Sequence, residues 1–122
     1  MTIDEVHEIL DELSEDIPQV FFKELNGGIN LLPDVVYSPH ARANDLYIMG
    51  DYNRGSLMGR YINIYYGSLM RAYSHLSRDE LRKELWDILR HEFRHHLESL
   101  GGERGLEIED AKAIRNYLEG NG

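Results

Sequence analysis

Cysteine is absent from this chain of 122 residues, which excludes disulfides, thiolate metal ligands and a cysteine nucleophile together. Any bound metal must therefore be held by histidine and carboxylate. Lys and Arg are missing from the first 16 residues, which carry seven acids: Asp4, Glu5, Glu8, Asp11, Glu12, Glu15 and Asp16. A secretory signal begins basic and continues apolar, so this start argues against one, and a reduced cytoplasmic setting is the expectation. No run approaches the roughly 18 consecutive apolar residues of a membrane span, so no membrane partner is expected. Basic charge is scarce overall, with 13 Lys plus Arg against 22 acids and a formal charge of −9. Neutralising phosphates requires a basic patch, so no nucleic-acid partner is expected either. No Pro/Gly/Ser linker and no internal repeat divides the chain, and its length suits a single domain over 1–122.

What is present reads as an α+β domain. Thr2 and Glu5 form a Thr-x-x-Glu capping box ahead of Val6, Ile9, Leu10 and Leu13, which recur at helical spacing. That helix is expected to end at or before Pro18, because the residue preceding proline avoids the helical region. A short helical continuation is expected to close at Asn26-Gly27-Gly28. Three runs then read as strands: 30–38, 45–51 and 60–66, with Asn53, Gly55 and Gly59 punctuating the turn before the last. Leu69, Tyr73 and Leu76 suggest a short helix. Ser77 and Glu80 form a second capping box, opening a longer helix with Leu81, Leu85, Ile88 and Leu89 on one face and Gly101-Gly102 as its natural stop. A final helix over about 109–118 carries Ala111, Ile114 and Leu118. The expected architecture is an N-terminal helix, a short, mainly antiparallel three-stranded sheet, then three helices.

Within the longer helix stands His91-Glu92-Phe93-Arg94-His95, an H-E-x-x-H match. Positions four apart lie about 40° from each other around a helix and one turn along it, so two imidazoles can ligate one zinc. Glu92 can flank such a metal without being forced to bind it, and can take a proton from an activated water attacking a carbonyl. The six histidines and the glutamates of this chain would produce the pattern by chance roughly 0.03 times. Glu92 also falls in the middle of the apolar stripe, about 20° from Leu81. A buried carboxylate there is costly unless something compensates it. The reading is a zinc site held by His91 and His95, with Glu92 as general base.

A third protein ligand would leave the fourth zinc position open. Glu98 and Gly101 stand where a metzincin would have glycine and histidine, which excludes that class. Glu107, Glu109 and Asp110 offer carboxylates downstream. Asp110 ranks first because it borders the expected inward face of the final helix, with Glu107 and Glu109 as alternatives.

The stretch from His91 through His95-His96 to Leu100, followed by Leu106-Glu107-Ile108-Glu109-Asp110, resembles the small bacterial zincin-like metallopeptidases, once catalogued as a domain of unknown function. An acidic first helix, short strands containing Met49-Gly50-Asp51-Tyr52 and the zinc helix follow one another in the same order. Compact members are described by H-E-x-x-H-x-x-G-x-x-D, from which this chain departs: Glu98 replaces the glycine and the acidic cluster lies farther on. The resemblance implies a zincin-like fold and zinc-dependent hydrolysis of peptide or protein substrates. The alternative is a catalytically weak or inactive zincin-like metal-binding or regulatory module; Glu92 favours catalysis, since a purely structural site has no use for that acid. His96 is expected as half-buried packing, and Tyr61, Tyr65 and Tyr66 as strand-face packing with their hydroxyls near water. His7, His40 and His75 have no partner at ligand spacing.

Overall fold

The protein is described by a computed structural model covering residues 1–39, 46–103 and 116. Helix α1, Ile3–Asp16, starts at the Thr2 capping box and turns Val6, Ile9, Leu10 and Leu13 inward. Ile17 is extended, so the helix stops ahead of Pro18, as the proline requires. A four-residue 3₁₀ turn, Gln19–Phe22, then drives Phe21 into the core.

Strands β1, Gly28–Leu32, β2, Gly50–Ser56, and β3, Gly59–Tyr65, form one sheet in the order β1-β3-β2. The expected mainly antiparallel sheet is corrected here: β1 runs parallel to β3, and β2 antiparallel to it. The two pairings place β3 in the centre and leave β2 at an edge. Strand boundaries differ as well. Pro33 cannot donate to a ladder, so β1 closes at Leu32. The chain from Val36 to Ser38 instead pairs with Leu46 to Ile48 through a Tyr37–Tyr47 bridge. The sequence of β2, including the Asn53 and Gly55 read as a turn, is strand with a register shift between Asn53 and Ser56. Gly55 has φ +90°, a conformation glycine adopts without penalty, and it absorbs that irregularity.

Ile62 and Ile64 point from β3 into the core, where they meet α1 and the long helix. Helix α2, Tyr66–Tyr73, follows β3 directly, which moves Tyr66 off the strand expected to hold it. Helix α3, Arg78–Glu103, opens at the second capping box: Glu80 N–H donates to Ser77 Oγ at 3.2 Å, and Ser77 N–H to Glu80 Oε1 at 2.9 Å. It does not stop at Gly101-Gly102. Buried Leu100 anchors the last turn, and the two helical glycines together cost about 1–2 kcal/mol, an amount that packing can offset. The expected final helix, residue 116 apart, and residues Glu107, Glu109 and Asp110 lie outside the described residues. Among the described residues no helix is long and apolar enough to cross a membrane.

Candidate metal centre and its cleft

Helix α3 buries Leu81, Leu85, Leu89, Phe93, Leu97 and Leu100 along one stripe. Two polar residues share the stripe, Glu92 at 6% exposure and His96 at 2%. One turn apart on the adjoining flank, His91 and His95 are exposed, with their Nε2 atoms 3.2 Å apart. Ligand atoms of His91, Glu92 and His95 all lie within 4.8 Å of one another. The expected trio is thus brought together, with Glu92 in the core-facing slot assigned to it.

Glu92 is 6% exposed, yet no buried side-chain oxygen among the described residues lacks a partner, so its carboxylate still reaches the cleft it lines. Burial pushes its carboxyl above the usual carboxylate range, the charge of Asp51 pushes the same way, and His95 opposes both. The three side chains open into a cleft of about 760 Å³ between α3 and edge strand β2, to which Asp51, Tyr52 and Arg54 also contribute. Gly50 lets the two walls approach: a Cβ there would lie 2.9 Å from the Asn63 carbonyl oxygen and 3.1 Å from Ile88.

His96 is fully buried, where half-burial was expected. The Lys23 carbonyl can only accept, so Nε2–H donates to it at 2.8 Å, and Nδ1 accepts from the Tyr52 hydroxyl at 2.8 Å. Both nitrogens are satisfied by a neutral ring, and burial holds its pKa below the ordinary value. This pair of bonds pins α3 to β2 and to the segment after the 3₁₀ turn, fixing the rotation that aims His91 and His95 into the cleft.

Sequence reasoning passed over Asp51 as a functional residue. Tyr65 donates from its hydroxyl to Asp51 Oδ2 at 2.7 Å, and Asn53 Nδ2 to Oδ1 at 2.6 Å. Tyr65 is therefore buried and engaged, its hydroxyl committed to a carboxylate instead of standing at the water boundary, and burial raises its pKa. Tyr66 donates to the Met1 carbonyl. The one available signal for Asp51 was strand periodicity: with Tyr52 opposite core residue Ile62, its neighbour Asp51 faces the other side, opposite Asn63.

No family model and no curated protein matches the chain. Among solved structures it is similar to a conserved hypothetical protein from Thermo thermophilus, with 30% identity and a TM-score of 0.69 over 83% of this chain and 98% of that one. The chain belongs to the family of that protein. The shared fold thus extends over nearly the whole length of the thermophile protein.

Proposed function

We propose that the protein is a zinc-dependent peptidase in which His91 and His95 hold the metal and Glu92 is the general base. The supporting observation is the pairing of two imidazole nitrogens 3.2 Å apart with a mostly buried carboxylate beside them, the ligand atoms of all three residues lying within 4.8 Å of one another. Two nitrogens each about 2.0–2.1 Å from a tetrahedral zinc lie about 3.3–3.4 Å apart, so the donor set fits the ion with little adjustment. A zinc bound there supplies Lewis acidity toward a carbonyl oxygen and toward water.

The remaining work falls to the chain itself. Glu92, raised by burial, is suited to taking a proton from the attacking water and passing it to the leaving amine. The outer edge of β2 borders the cleft and can pair with an extended peptide, adding a strand beside the reacting groups. Asp110 remains the proposed third ligand, with Glu107 and Glu109 behind it.

The test compares zinc content and hydrolysis of a mixed peptide substrate in the wild-type protein and Glu92→Gln. The expected outcome is equal zinc and a loss of hydrolysis of about 10²–10⁴-fold, the usual contribution of a general base. Equal hydrolysis in both proteins would overturn Glu92 as the general base, and no hydrolysis in either favours the binding-module reading of the same fold.

A further inference from the structure

We propose that Asp51 is the substrate-recognition carboxylate of this cleft, binding an ammonium group of the peptide next to the bond that is cut. The proposal rests on the peptidase reading and adds to it the chemical class of substrate.

Asp51 is held in place more firmly than a surface carboxylate needs to be. Its oxygens each accept one short bond, from Tyr65 and from Asn53. Tyr65 in turn interacts with Asn63, whose Oδ1 accepts from Asn30 Nδ2 at 3.4 Å. The chain of contacts runs through all three strands, from Asn30 on β1 to Asp51 on β2. Each carboxylate oxygen has two acceptor sites, so one on each remains for a ligand. A carboxylate already fixed in position loses little rotational freedom when that ligand binds.

The placement selects the kind of ligand. Asp51 is not part of the compact His91-Glu92-His95 group, yet it lines the same cleft. It therefore lies beside the metal donors, where a neighbouring part of a substrate would lie. Its negative charge acts on Glu92, and Glu98 adds a third carboxylate to the cleft. Arg54, a cation lining the cleft, stands three residues along β2 and donates to Ser99 Oγ at 3.0 Å. A positively charged nitrogen with several N–H donors satisfies the open acceptor sites of Asp51 and relieves its repulsion with Glu92. That nitrogen comes from a lysine side chain or from a free amino terminus.

Zinc-loaded Glu92→Gln protein, which holds peptide without turning it over, separates the sources. The probes are a mixture of random hexapeptides containing one lysine and the same mixture with the lysine acetylated, each with free or acetylated amino terminus. The ammonium form is expected to bind about tenfold more tightly than its acetylated counterpart, in the lysine arm or the terminus arm according to source. Adding Asp51→Asn brings that ratio close to one, and adding Tyr65→Phe, which loosens the carboxylate without removing it, leaves an intermediate ratio. A ratio near one before substitution, or unchanged by Asp51→Asn, overturns the proposal. Wild-type hydrolysis of the four mixtures is measured alongside. Cleavage without ammonium preference retains the peptidase and overturns the role of Asp51. Preferential binding without cleavage retains Asp51 and overturns the peptidase. Neither binding nor cleavage overturns both.

Discussion

From Leu81 to Leu89, α3 buries leucines alone; from Glu92 to Leu100 the same stripe buries a carboxylate and an imidazole among Phe93, Leu97 and Leu100. The first half meets α1 through apolar contact and fringes it with exposed pairs, Arg78 and Arg82 to Glu12 and Arg82 to Asp16. The second half spends part of its buried surface on groups that weaken a core unless satisfied. His96 is satisfied within the fold, by Tyr52 and Lys23. Glu92 is not held by the fold in this way; its carboxylate opens to the cleft. One helix thus divides its labour: its first half supplies stability, and its second half gives some up to place reactive groups.

The sharpest way to break this division is to remove metal donors. His95→Ala is expected to weaken zinc binding by orders of magnitude in a competition titration, and Asp110→Ala to do the same if it is the third ligand. Glu109→Ala, with a side chain expected to point to solvent, should change affinity little. Sensitivity at Glu107 or Glu109 in place of Asp110 would move the ligand assignment.

The next largest effect belongs to the first half. Leu85 is completely buried, and Leu85→Ala should cost about 2–5 kcal/mol in urea denaturation, whether or not metal is present. Chelation, by contrast, should lower the melting temperature modestly and leave far-UV helicity intact, because the core does not depend on the metal. Collapse of helicity on chelation would erase the distinction between the two halves.

A smaller effect follows from His96. Burial lowers its pKa in the folded protein below the reference of 6.5, so the unfolded chain takes up a proton more readily. Stability from this group is complete above about pH 6.5 and declines as pH falls from there toward the folded pKa. In His96→Gln the slope of unfolding free energy between about pH 7 and 5 should flatten. The smallest effect is expected at the exposed rim: Glu12→Gln should leave the melting midpoint within the scatter of replicate scans, since solvent screens such pairs.

The helices were the most legible part of the sequence because their signals are local. Two capping boxes and the spacing of leucines fix where α1 and α3 begin and which face each buries. The placement of Glu92 followed from the same arithmetic, since about one turn of helix relates it to Leu89 and about two relate it to Leu85, whatever surrounds them. Strand order was not legible. The parallel pairing of Gly28–Leu32 with Tyr61–Tyr65 joins segments more than thirty residues apart, and no local feature encodes it. The edges of β2 were misread because Asn53 and Gly55 usually mark turns, whereas here they carry a bulge. Asp51 and Tyr52 were legible only as part of a strand segment, and their contacts were not, for a related reason: these lie with Tyr65 and His96, distant in sequence and adjacent only in the fold.

Anomalous scattering at the zinc edge, from crystals of the full chain grown with zinc, tests the central claim most directly. The account predicts a peak bonded to Nε2 of both His91 and His95, a carboxylate as third ligand, and the Glu92 carboxylate close by without a bond to the metal. A peak elsewhere, or Glu92 bound directly as a ligand in a closed four-protein-ligand site, would contradict it.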